Sequence, residues 1–566
     1  MKNLNIISGF LVLLLLGGLF SCSDDFFDVN ESETKPSNMS LPPQQRLMAT
    51  IDNTTGFGQS RLSREGTVLS YHITERTTYY SRWRWGTVSY AAEQYLYTNA
   101  LPNTADLIVL GEKYNSPHYS AVGKILRAYL FSMVSDQLGD IIMEDSYNAK
   151  DQLILTPKLT SQKDAYAGMH KLIDEALLDF DKPNEIDLNV IGTDVMFQGD
   201  ITKWKKFAWA LKARLLNHMT AKTSGDFKYD PAAVIAACGK AMSSNADNAK
   251  REFTGEETQN NIYPWSDTEG GEVEGAFDSR ADNWSKFFVD NLKDPLLLNN
   301  ESVPDPRLPL IVQPALDAEL YGLTGLDMYQ GVPMGTYREN GFNGVKETVN
   351  FVAGDINPFT GEPFEEDITI VMDSTEYFSR GHQYGKPNGL FYTSPDSDWY
   401  LITYAECKFI EAEANFRNGD KAAAFAAYKE GINADMTNMG VDAAEIANYM
   451  TQVDNIGSAN ITLERIMTQK HIATVMNPET WVDLRRVEYD NTFTRLKRPQ
   501  NLNASIFPTS GDEVDGKEVW IRALKYDNRN IERNSANLPD NDDASRFPTR
   551  VWWNTPDADD VVDLTK

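Results

Sequence analysis

Cysteine is almost absent from this 566-residue chain: three residues, at Cys22, Cys238 and Cys407. So few and so scattered cysteines exclude a disulfide framework, and Cys238 and Cys407 sit in helix-like contexts where a thiol usually behaves as a small buried apolar group. Histidine is also scarce, with six residues and no metal-ligand spacing. HExxH, GxSxG, GxxxxGK[ST] and GxGxxG are all missing, which removes the common hydrolase and nucleotide-binding signatures. These absences point away from an enzyme, although a glycosidase pair is defined by distance in space and stays open among 82 acidic residues. Basic residues number 53, and the net charge of −29 excludes nucleic acid as a partner. No apolar run of 18 or more occurs anywhere. The one long run, from Ile6 to Phe20, falls short of the roughly 20 residues that span a bilayer.

That short run follows Lys2 and ends at Leu19-Phe20-Ser21-Cys22, the arrangement of a secretory signal over residues 1–21. Leu and Ser at the third and first positions before Cys22 resemble a bacterial lipobox, which makes Cys22 the expected lipidation site. An ordinary cleaved signal beside an incidental cysteine is the other reading. Residues 22–43 are rich in Ser, Thr, Asn and Pro and read as a flexible tether. The acidic Ser23-Asp24-Asp25-Phe26-Phe27-Asp28 resembles the export signal of Bacteroidota lipoproteins, implying a lipid anchor in the outer membrane facing the exterior.

Apolar residues recur at helical steps from His118 to Gly139, from Ser161 to Pro183 and from Lys203 to Lys222, with a further start at Asp230-Pro231. The first is expected to be an amphipathic helix. Between Ala405 and Gly440, Gly419 is placed to end one helix and Asp420 to cap the next, in a pattern that looks like a tetratricopeptide pair in which small residues admit an aromatic wedge. Another helix is expected from Thr462 to about Met476. Residues 251–400 change texture to Gly, Pro, acidic and aromatic residues, with a strand-like run at Asp367-Ile368-Thr369-Ile370-Val371-Met372. The expected fold is therefore mainly α: a tetratricopeptide-like helical scaffold, about 90–250 and 400–490, split by a loop-rich insertion carrying short strands. Residues 491–566 form an irregular C-terminal region, and 44–566 form one domain.

Met467-Thr468-Gln469-Lys470-His471-Ile472, followed by Glu479-Thr480-Trp481-Val482-Asp483-Leu484-Arg485-Arg486 and later by Arg546-Phe547-Pro548-Thr549-Arg550-Val551-Trp552-Trp553, resembles the SusD/RagB family of Bacteroidota outer-membrane lipoproteins. The resemblance implies a SusD-like fold and a binding protein that delivers a nutrient to a SusC-like TonB-dependent transporter. The ligand implied is a glycan, or a peptide in some relatives.

Sugar recognition uses flat aromatic faces and groups that match hydroxyls. The densest such cluster holds Tyr79, Tyr80, Arg82, Trp83, Arg84 and Trp85, which serve either as binding residues or as packing beneath the first helices. Trp265, Trp284, Tyr337 and Trp399 are further ligand candidates, with Tyr263, Tyr329 and Tyr392 beside them. Trp481, Trp552 and Trp553 are assigned to the scaffold. No cofactor is expected. Asp540-Asn541-Asp542-Asp543 offers oxygens suited to a structural calcium but lacks an EF-hand's glycine and distal glutamate, and reads as a solvated turn. A scaffold acting through helical repeats alone would leave the loop aromatics unexplained.

Overall fold

The computed structural model describes residues 41–75, 96–146, 154–256, 263, 282–298, 303–314, 324–331, 347–353, 368–372, 390–496, 513–514, 517–518, 520–539, 546 and 548–556. The chain is mainly α. Its helices are α1 (Pro43–Asp52), α2 (Ser60–Leu69), α3 (Leu101–Lys113), α4 (Pro117–Leu138), α5 (Gln162–Asp179), α6 (Ile201–His218), α7 (Pro231–Cys238), α8 (Lys286–Lys293), α9 (Leu308–Ile311), α10 (Tyr404–Arg417), α11 (Lys421–Asn438), α12 (Ala443–Ile456), α13 (Leu463–Ala473), α14 (Glu479–Arg486) and α15 (Asn528–Asn534). Strands among the described residues are short and pair only in twos: β1 (Ile73–Glu75) with β3 (Asp282–Trp284), β2 (Ala249–Arg251) with β6 (Trp399–Ile402), β4 (Glu347–Phe351) with β5 (Ile368–Met372), and β7 (Glu513–Val514) with β8 (Lys517–Glu518), all antiparallel. None of the described helices is long and apolar enough to cross a membrane.

Helix starts follow the capping side chains in the sequence. Ser161 accepts from Asp164 N at 3.1 Å, Asp230 from Ala232 N at 2.9 Å and Asp420 from Ala423 N at 2.9 Å, each satisfying a donor left free in the first turn. Gly419 takes the left-handed conformation (φ +86°) that ends α10. In the α10–α11 hairpin the ring of Phe409 lies against Gly431 so closely that a Cβ there would meet it at 2.9 Å. That is the aromatic wedge expected from the sequence.

α4 departs from expectation. Of its 22 residues 19 are buried, so it is a central helix covered nearly all round rather than an amphipathic one. Several of its polar residues are partnered inside the core: Arg127 donates to Leu101 O at 3.0 Å, and Ser132 to Tyr129 O at 2.7 Å.

The first two segments that carry the family resemblance form a buried ionic clasp. Lys470 of α13 pairs with Asp483 of α14 at 2.7 Å, and Arg486 with Glu413 of α10 at 2.8 Å and with Asp483 at 2.6 Å. Glu479 contacts His218 of α6 at 3.0 Å. Arg485 lies 3.7 Å over the Trp481 ring and donates to the carbonyls of Asp136 and Arg522 at 2.6 and 2.8 Å. Burial acts against the Glu479 carboxylate, yet His218, Arg214 and Lys470 outweigh it and hold its pKa at about 2. Trp481 and Trp553 are buried here, as scaffold residues should be. Cys238 and Cys407 are free and buried, and burial raises both thiols.

Two imidazoles, His72 and His471, face each other across 4.2 Å in the core. His72 Nε2 contacts His471 O at 2.9 Å, and His471 Nε2 contacts Ser70 O at 2.7 Å. Burial lowers both pKa values, that of His471 from 6.5 to about 4. Between pH 6.5 and 4 the unfolded chain therefore binds a proton at His471 that the folded chain refuses, so this site's contribution to stability falls as pH falls. His471→Gln, which keeps a donor for Ser70 O, removes that penalty. The stability gap between wild type and H471Q, measured by guanidinium unfolding, should shrink by about 2 kcal/mol between pH 7 and pH 5. A constant gap would show that His471 is not held neutral.

Candidate ligand groove

Three prolines in the stretch Val303-Pro304-Asp305-Pro306-Arg307-Leu308-Pro309 fix the backbone and remove donors, so this stretch cannot join a sheet and leads only into the single turn of α9. A buried arginine holds it in place. Arg307, 0% exposed, donates through Nε and Nη2 to the two carboxylate oxygens of Asp305 at 2.9 and 2.6 Å, and through Nη2 to Gln469 Oε1 of α13 at 2.6 Å. Its Nη1 binds the Asp435 carboxylate of α11. Gln469 Nε2 donates onward to the Tyr449 hydroxyl of α12 at 3.0 Å. Burial opposes the guanidinium charge, but Asp305 and Asp435 outweigh it and raise its pKa above the ordinary value. One side chain thus ties the proline stretch to α11 and α13, and through Gln469 to α12.

Above this clamp lies an open groove of 460 Å³. One wall is the proline stretch with Leu326 and Tyr329, at the end of the short helical turn Gly325–Met328. The other is α12, started by Asp442, which accepts from Ala444 N at 2.8 Å. Glu445, Asn448, Tyr449 and Gln452 line the groove at i, i+3, i+4 and i+7, one face of the helix. Tyr449 is buried at its base, Glu445 and Asn448 are exposed, and Tyr329 is half-buried, its phenol raised by burial. The result combines prolyl, leucyl and tyrosyl C–H and ring surface with two carboxamides and the Glu445 carboxylate, which has no ion-pair partner among the described residues. Such a surface can stack a sugar ring and bond its hydroxyls.

Of the aromatics named from the sequence, Tyr329 lines this groove. Tyr263, Tyr392 and Trp399 come together elsewhere, with Tyr400, around a cavity of about 30 Å³ on the other side of Asp435, which holds little more than a water molecule. Tyr263 and Trp399 rings lie 5.2 Å apart, and Trp399 is 2% exposed. Trp284, in β3 opposite Ile73, is 0% exposed and packs on Phe288 at 5.1 Å. Both tryptophans are corrected from ligand candidates to core: pairing in a short ladder turns each ring inward, away from solvent. Tyr79, Tyr80, Arg82, Trp83, Arg84, Trp85, Trp265 and Tyr337 lie outside the described residues, as do Cys22 and Asp540-Asn541-Asp542-Asp543. Sequence reasoning missed Glu445, Asn448 and Gln452, whose signal is polar spacing on one helix face behind the Asp442 cap.

Residues 29–509 match the model of a SusD-like family described as starch-binding and associating with the outer membrane. Similar solved structures include a SusD/RagB family protein from Bacteroides thetaiotaomicron (18% identity, TM-score 0.63, 91% of this chain and 100% of that one). A SusD homologue from Bacteroides fragilis gives 17%, 0.64, 91% and 100%. A chitin-binding protein gives 21%, 0.63, 91% and 100%. At such identities the likeness shows the fold. No curated protein matches the chain.

Proposed function

Because this chain belongs to the SusD-like family, whose members are described as starch-binding and outer-membrane-associated, we propose that it is a surface lipoprotein, anchored through Cys22, that captures a neutral oligosaccharide in the groove beneath α12 and passes it to a SusC-like TonB-dependent transporter. The observation that carries this reading is the pairing of the Tyr329 ring with the Glu445, Asn448 and Gln452 face across 460 Å³, a volume within the roughly 300–1,000 Å³ typical of ligand sites. A chitin-binding protein of the same fold fits the ligand class. A net charge of −29, with Glu445 at the groove, disfavours polyanionic glycans. Binding is favoured over hydrolysis because Asp305, the groove's second carboxylate, is locked to Arg307 and so is no free acid or base. The transporter follows from the family resemblance, and the lipid anchor from the lipobox-like start.

Affinity electrophoresis of the mature chain in gels containing amylopectin, galactomannan or glycol chitin tests the reading. Retardation by one of them, with no reducing ends released, is the expected result. Binding to mixed peptides alone would replace the glycan by a peptide, and indifference to every probe would contradict ligand capture by this chain.

A further inference from the structure

We propose a second glycan-contact site on the first helical half, in the 570 Å³ cleft between the loop 187–201 and the N-terminal end of α4. The loop is neither helix nor sheet, yet it is built around one buried side chain. The Asp194 carboxylate, 0% exposed, accepts from Met196 N (3.2 Å), Phe197 N (3.1 Å), Gly199 N (2.8 Å) and Trp204 Nε1 (2.9 Å). Tyr119 fastens its start by donating to Asp187 O at 2.6 Å. Gly199, at φ +83°, presses so close to Asn189 that a Cβ would meet Asn189 Cβ at 2.7 Å. Gln198 also holds a left-handed backbone (φ +56°), a strained conformation for a non-glycine residue, which persists only where surrounding bonds enforce it and which gathers at ligand sites.

This rigid loop presents Asp187, Asn189 and Gln198 to the cleft, beside His118. The side chains of Asp187 and Gln198 make no hydrogen bond among the described residues, so their capacity is open to a ligand. Two carboxamides and a carboxylate match the mixed donors and acceptors of vicinal hydroxyls, and the carboxylate repels anions. Val190 and Ile191, 55% and 58% exposed on the same loop, offer aliphatic surface for sugar C–H groups. The ligand class these features select is an uncharged, hydroxyl-rich chain. A polysaccharide held here and in the α12 groove together would gain avidity from the second contact. The site shares only its ligand class with the proposed function, and its residues are separate.

Hydrogen exchange of the mature chain, read by mass spectrometry with maltoheptaose, mannohexaose or chitohexaose, separates the two sites. The expected result is slowed exchange over 187–201 with at least one probe. It should be lost in D187A/Q198A, whose exposed positions leave the fold intact, and kept in Tyr329→Ala. Protection over 303–331 alone would overturn the second site and leave the groove standing. Protection over 187–201 alone would support the second site and count against the groove. Protection at both that vanishes in Tyr329→Ala would overturn the independence of the second site, and no protection anywhere would overturn both.

Discussion

Replacing Arg307 by alanine is expected to lower stability by about 3–5 kcal/mol, the loss seen when one partner of a buried ion pair is removed. Asp305 and Asp435 would be left as buried carboxylates without their cation, 1% and 3% exposed, and Gln469 would lose the donor to its Oε1. Burial already pushes the Asp435 carboxyl upward against the pull of Arg307, so its protonation in the variant would offset part of the loss at acid pH. Because the same guanidinium fixes the proline stretch against α11 and α13, ligand affinity should fall with stability. Urea unfolding and titration of the same preparation check both. A variant as stable as wild type would show that this clamp does not organise the groove wall.

Tyr329→Ala is expected to behave in the opposite way. The ring is half-buried at the groove edge, where its inner side packs against the core, so its removal should cost about 1 kcal/mol of stability, well below the loss from a fully buried aromatic. Loss of its stacking face should weaken oligosaccharide binding about tenfold or more, as for an aromatic anchor. A Trp399→Ala control should reverse the pattern: Trp399 is buried against Tyr263, so a loss of about 3–5 kcal/mol is expected from the void. The two aromatics are told apart by measuring melting temperature and affinity on each variant. Equal effects on affinity would mean that the small cavity behind Trp399 takes part in binding.

That contrast shows what the sequence can and cannot disclose. Helix positions were legible because their signals are local: the Asp230-Pro231 start and the Gly419-Asp420 boundary each lie within a few residues. The groove was not legible, because the proline stretch and α12 are separated by more than a hundred residues and are joined through Arg307, Asp435, Gln469 and Tyr449. Trp284 and Trp399 read as aromatics of the loop-rich insertion. Their burial depends on strand partners distant in sequence, Ile73 and Arg251. The first two motifs that carried the family resemblance proved to be a buried ionic clasp, which explains why charged residues there accompany a fold and not a ligand. α4, expected to be amphipathic, misled for a related reason: Ser132, Arg127 and Asp136 find their partners inside the core.

Calorimetric titration of the mature chain and of its Tyr329→Ala/Asn448→Ala variant, with the neutral oligosaccharide corresponding to whichever gel retards the protein, tests the central claim most directly. Saturable heat in wild type that disappears in the variant, with the melting temperature unchanged, is the predicted result; equal heats in the two proteins would place ligand capture outside the α12 groove.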